Sequence, residues 1–185
     1  MIFSAHPTGV RRVLRAFTLI ELLTVLAIIA VLAGLVIGAA RRGSESGRIA
    51  RAKAELAALS AALESYRRTY GDYPQTDDGA RLLQSLLGQR GPTGAPLQDR
   101  AFIELVRFST NSVADPTLDS TVALIDPWGR PYLYIYKVPP DGWINPSFVL
   151  YSLGADGLDT PGMIGGRDAD PLSPGNADNI YANRW

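Results

Sequence analysis

The chain has 185 residues, 18 Lys+Arg against 18 Asp+Glu, one His and no Cys. That length holds one domain, or one domain plus an appendage, and zero net charge offers no electrostatic case for a nucleic-acid partner. Without Cys there are no disulfides, thiol nucleophiles or Cys-bound metals, and a lone His6 gives no basis for a Ser-His-Asp triad, a His zinc site or a His general base.

Proline divides the chain. After Pro7 there is none until Pro74, and twelve follow from there to Trp185. The Pro-free stretch can be helical throughout and the rest cannot. Eleven of the sixteen aromatic residues lie after position 100. Three parts follow from this: a leader (1–16), a long helix (17–70) and a loop-rich, strand-bearing head (71–185).

The leader carries Arg11, Arg12 and Arg15 and no acid. The next 22 residues, Phe17 to Gly38 (FTLIELLTVLAIIAVLAGLVIG), hold one charge, Glu21. As a helix they would span ~33 Å, enough for the ~30 Å hydrocarbon core of a bilayer. A basic segment before an apolar run signals export or membrane insertion. Three readings compete. Gly38 and Ala40 would suit an ordinary signal-peptidase cut before Arg41, although the run exceeds a usual signal-peptide core. An uncleaved anchor is the second. The third gives Glu21 a purpose: a carboxylate in a membrane segment costs up to ~2.5–3.5 kcal/mol. A free α-amino group from a neighbouring chain would offset it, which requires a cut just before Phe17.

The string RAFTLIELLTVLAIIAVLAGLVIG resembles the amino-terminal signature of type IV prepilins and type II secretion pseudopilins. The resemblance implies that a prepilin peptidase cuts between Ala16 and Phe17 and methylates the Phe17 amine. It also implies that Glu21, fifth after the cut, serves filament assembly. Ala16 stands where the family usually has Gly, and Gly38 where it often has Pro. Gly34 and Gly38 form a small-xxx-small pair that Gly43 and Gly47 repeat, which suits close helix packing or the general Gly richness of membrane helices. Arg41, Arg42, Arg48, Arg51 and Lys53 follow the span, so charge counting does not settle its orientation. The resemblance implies a cytoplasmic leader and an external head.

Residues 39–70 form the amphipathic half of the expected helix. Ile49, Ala52, Leu56, Leu59, Leu63, Tyr66 and Tyr70 make an apolar stripe opposite Arg51, Lys53, Glu55, Glu64, Arg67 and Arg68. The stripe is expected to pack on the protein's own sheet, with a coiled coil to another chain as the alternative. Gly71 and Pro74 end the helix.

In the head, Thr76 is the expected N-cap of a short helix with Leu82, Leu83, Leu86 and Leu87 on its apolar face. Residues 88–98 read as loop, and 101–108 and 121–125 as short apolar runs, strand or helix. DPWG (126–129) and PPDG (139–142) are turns around PYLYIYKV (131–138), and SFVLYSLG (147–154) returns as a second strand. The expectation is an α+β fold, a long amino-terminal helix packed on a small antiparallel meander of about three strands. DPWGRPYLYIY, FVLYSLGADG and NADNIYANRW resemble the carboxy-terminal half of the major pseudopilins, with 88–125 enlarged and 160–175 inserted.

After residue 150 the chain holds Asp156, Asp159, Asp168, Asp170 and Asp178 against Arg167 and Arg184. Clustered Asp with carbonyls and Gly turns suits calcium, although the EF-hand spacing is missing; a solvated polar loop is the plain alternative. The resemblance implies a calcium ion that pins this loop. SLGADG matches the ligand-bearing motif at Asp156. Asp178 is the second carboxylate by its place near the terminus, Asp159 is the local alternative, and carbonyls around Leu153 complete the shell.

The expected function is a structural subunit and not an enzyme. It would wait in the inner membrane with its head in the periplasm, then polymerise with copies of itself into a pseudopilus that promotes export of folded proteins. The implied partners are the prepilin peptidase, the inner-membrane assembly platform, minor pseudopilins and the membrane, with no nucleic acid. The alternatives are a type IV or minor pilin of a surface filament, and an exported or anchored binding module with an ordinary signal sequence.

Overall fold

Residues Leu19–Tyr70 form one α-helix, α1, in a computed structural model that describes residues 18–136, 147–159 and 174–182. The side chains of 36–42 and 174 also lie outside the description, as do Ala16, Phe17, the PPDG turn and most of the inserted 160–175 segment. The helix forms because this stretch lacks Pro and is rich in Ala, Leu, Glu and Arg. It ends at Gly71, whose φ of 84° suits a residue without Cβ and whose N–H reaches the Arg67 carbonyl at 2.7 Å. Arg67 and Arg68 in the last turn complement the helix dipole.

The chain divides into two compact units at Arg42/Gly43. In the first, the apolar side chains from Leu19 to Leu35 are all exposed. Among the described residues no helix is long and apolar enough to cross a membrane. The described side chains of the apolar run cover ~25 Å of helix. The expected span of 17–38 also takes in Phe17 and residues 36–38, outside that stretch.

In the second unit the heptad stripe is buried. Ala52, Leu56, Leu59, Leu63 and Tyr66 are at most 1 % exposed, and Ile49 and Tyr70 flank them half-buried. Ile49, Ala52, Leu56, Leu59 and Leu63 share one core with this chain's own Leu82, Leu83, Tyr134, Phe148 and Leu150, while Tyr66 and Tyr70 pack edge-on against Phe102, so the head takes the place that a coiled-coil partner would have had. Helix α2 is Gly79–Leu86. Its N-cap is Asp78 and not the expected Thr76. The Asp78 carboxylate accepts from the N–H groups of Ala80 at 2.8 Å and Arg81 at 3.4 Å. A negative oxygen at the positive helix end outcompetes a hydroxyl there. Thr76 acts earlier, accepting from Asp78 N–H at 3.1 Å.

The unresolved apolar runs resolve into irregular structure and a minimal strand pair. Leu105–Arg107 is a 3₁₀ turn, and β1 (Ser109–Thr110) pairs antiparallel with β2 (Leu124–Ile125). The expected meander is β3 (Leu133–Tyr136), β4 (Phe148–Ser152) and β5 (Ile180–Tyr181), antiparallel in the order β3-β4-β5. Every β4 residue is buried. Phe148 and Leu150 join the helix-side core, while Val149 and Tyr151 pack among Leu133, Ile135, Leu153 and Tyr181 on the other face.

One buried carboxylate ties α1 to the head. Glu55 receives the Tyr132 hydroxyl at 2.6 Å and the Arg51 guanidinium at 2.7 Å. Burial, followed by the bond to Glu55, pushes the Tyr132 hydroxyl far up. Burial likewise raises Tyr134 strongly and moves Tyr66 up to about 12.

Candidate functional site

Two regions hold the residues singled out from the sequence. The first is the start of α1. Thr18 sits just before the helix, and its Oγ1 accepts from Glu21 N–H at 3.2 Å. The Thr24 hydroxyl donates to the Glu21 carbonyl at 2.9 Å. Thr18-x-x-Glu21 is the pattern of a capping box, with the acid in the first turn where the dipole favours it. This role is readable from the Thr-x-x-Glu spacing alone. Around it Leu19, Ile20, Leu22, Leu23, Val25 and Leu26 are 44–78 % exposed. Continued through Ile28, Ile29, Val31, Leu32 and Leu35, the exposed apolar residues come round the whole circumference of the helix, in contrast to the single stripe further on. A Cβ built on Gly34, Gly43 or Gly47 would meet no atom within 4 Å.

The second region is the acidic turn after β4. The pairing of Ser152 with Ile180 sets β5 beside the end of β4, which brings Asp178 to the 154–156 turn. Asp178 Oδ2 accepts from Asp156 N–H at 2.9 Å. Gly154, at φ 64°, has no room for a side chain; a Cβ would lie 2.3 Å from the Asp178 carbonyl and 2.8 Å from its Oδ2. Asp156 is exposed and its Oδ1 accepts from Leu158 N–H at 2.7 Å. Asp159 turns elsewhere: its Oδ2 accepts from the Tyr151 hydroxyl at 3.1 Å, and that ring stacks on Tyr181 with centroids 5.1 Å apart. The expected pair Asp156/Asp178 is therefore brought together, with half-buried Leu153 at the entrance to the turn.

Among the described residues no three His, Cys, Asp or Glu side chains gather as a metal group. The donors still suit a hard cation. Asp178 Oδ1 is buried with no hydrogen-bond partner, and so are both side-chain polar atoms of Asn179. An orphaned carboxylate oxygen beside a Gly-shaped cradle fits an ion bound through carboxylates and carbonyls.

Sequence reasoning also missed the support behind this turn. Asp126 of the DPWG turn is 2 % exposed. It accepts from Arg130 N–H at 2.9 Å and from the Ser152 hydroxyl at 2.6 Å, and Ser152 Oγ accepts from Gly154 N–H at 3.1 Å. The Arg130 guanidinium reaches the Gly154 carbonyl at 2.7 Å. These partners lie 24 and 26 positions apart, so no local pattern announces them.

Residues 41–170 match the family model described as Type II secretion system (T2SS), protein G, and residues 11–37 match the Prokaryotic N-terminal methylation motif. The chain is 35 % identical over 169 residues to the Type II secretion system core protein G of Pseudomonas aeruginosa, covering 91 % of this chain and 99 % of that protein. The protein of the same name from Escherichia coli is 31 % identical over 147 residues, covering 77 % of this chain and 83 % of its own length. That from Aeromonas hydrophila is 29 % identical over 145 residues, 76 % and 82 % of the two chains. No solved structure matches the chain. With a family match over residues 41–170 and a methylation motif around Glu21, the chain belongs to the protein G family of type II secretion systems and is a structural subunit of the pseudopilus.

Proposed function

We propose that the chain is a filament-building subunit without catalytic activity, processed between Ala16 and Phe17 and methylated on the new Phe17 amine. The observation that supports this most is the capped, all-round apolar start of α1, exposed at every described apolar position from Leu19 to Leu35. A surface of that kind is stable only in apolar surroundings. The bilayer supplies them first, with residues 17–38 spanning the inner membrane and the head in the periplasm, and the filament core supplies them afterwards. Glu21 then pairs with the Phe17 amine of a neighbouring copy, which offsets the cost of burying both charges and sets the subunit's position in the filament. The prepilin peptidase, the inner-membrane assembly platform and minor pseudopilins are the partners this path requires.

Mass spectrometry of the protein from its native membrane tests the processing. The expected species lacks the 16-residue leader and carries one added methyl; an intact leader or a start at Arg41 would overturn the reading. Glu21→Gln and Glu21→Ala test the pairing, with filaments counted by electron microscopy. Filaments of wild-type number and order in both variants would sink it.

The acidic turn is proposed to bind calcium through Asp156 and Asp178, with the Leu153 carbonyl and with Asp159 as the local alternative. Bound there, calcium would supply positive charge to the carboxylates and stabilise the head by ligand linkage. The expected result is a melting temperature that rises with millimolar calcium and falls with chelator, an effect that Asp178→Asn removes.

A further inference from the structure

We propose that Arg130 is a resident cation of the acidic turn, one that takes its carbonyl oxygens and keeps it folded with no metal bound. The inference about folding stands on this chain's contacts alone; its consequence for calcium rests on the calcium reading above.

The guanidinium lies across the turn as a fork. Nη1 donates to the Gly154 carbonyl at 2.7 Å and the Ala155 carbonyl at 3.3 Å, and Nη2 reaches Ala155 O at 3.4 Å and Asp156 O at 3.5 Å. Three successive carbonyls thus face one cation. Among the described residues the ion pairs are Arg51–Glu55 and Arg107–Glu104, so the Arg130 charge is directed at carbonyls and not at a carboxylate. Gly157 makes the space for it. At φ 68° it has no side chain, and a Cβ there would fall 2.2 Å from Arg130 Cζ and 2.3 Å from Nε.

The base of the fork is fixed as well. Arg130 N–H is held by Asp126, Asp126 by the Ser152 hydroxyl, Ser152 by Gly154 N–H, and the Gly154 carbonyl by Arg130 again. This closed circuit joins the DPWG turn to the acidic turn through Asp126, a fully hydrogen-bonded buried carboxylate. A planar five-donor fork suits this task; a lysine ammonium of the same charge could not span three carbonyls. With those three oxygens engaged, a divalent cation is left with the carboxylate oxygens of Asp156 and Asp178 and the Leu153 carbonyl. It binds a turn whose ordering cost is already met, which raises its apparent affinity.

Hydrogen exchange on the full-length chain in detergent micelles tests this. The Gly154, Asp156 and Leu158 amides report on the turn, because all three donate within it. With calcium chelated, Arg130→Gln is expected to speed their exchange at least tenfold. The amides of the β3–β4 pair, which show that the head is still folded, stay at the wild-type rate. Arg130→Lys falls between the two, and Gly157→Ala, which evicts the guanidinium, behaves like Arg130→Gln. Wild-type exchange in chelated Arg130→Gln would overturn the proposal. In a calcium titration Arg130→Gln is expected to bind three- to tenfold more weakly; equal or tighter binding would overturn the preorganisation step. If calcium leaves the wild-type turn unchanged, the calcium reading fails while the chelated arm still decides the role of Arg130.

Discussion

Leu26 and Leu59 belong to the same helix and meet opposite fates: the first is 55 % exposed and the second fully buried. Around Leu59 the apolar residues recur every three or four positions, so a single sheet and a short helix cover them. Around Leu26 nearly every residue is apolar, so no one-sided neighbour could do so. The stripe was written for a partner inside the chain. The apolar run was written for surroundings that enclose it, which on the proposed reading are membrane and then filament.

Five measurements would break or sharpen this contrast. Leu59→Ala should destabilise the head by about 2–5 kcal/mol, read by urea unfolding, because it opens a cavity in a closed core. Tyr132→Phe should cost about 1–3 kcal/mol by leaving one oxygen of the buried Glu55 without its donor. The same phenols give a pH signature. Tyr66 titrates near 10 when unfolded and at about 12 when folded, because burial disfavours the phenolate. The folded state therefore holds its proton longer, and this contribution is fully present below pH ~10 and lost as pH rises through about 12. Tyr132 and Tyr134 are pushed in the same direction, so the head should melt at progressively lower temperature through that alkaline window. Asp78→Ala should cost about 1 kcal/mol through loss of the α2 cap, while Thr76→Ala should cost less. Smallest of all, Leu26→Ala should leave head unfolding unchanged and reduce filament yield. A head destabilised by Leu26→Ala as much as by Leu59→Ala would end the distinction.

Patterns within a few turns of chain are readable in the sequence itself. The stripe from Ile49 to Tyr70, the stop at Gly71 and the strand pair Leu133–Tyr136 and Phe148–Ser152 all follow from helical spacing, strand-forming composition and turn chemistry. Thr18-x-x-Glu21 was equally local and was overlooked. The choice of Asp78 over Thr76 depended on which residue held the extended backbone of an N-cap, φ −90° and ψ 120°, and two good caps two positions apart do not reveal that.

At the acidic turn the cluster of carboxylates was legible from Asp and Gly content, and the hydrogen-bond partners were not. Asp178 reaches Asp156 because β5 pairs with β4, and Arg130 reaches Gly154 because the DPWG turn delivers it there. Residue order dictates what a short segment prefers, since helical and strand periods and turn geometry act over a few positions. Which distant side chains share a turn was settled by strand pairing and core packing, because those forces bring together groups with no spacing in common along the chain.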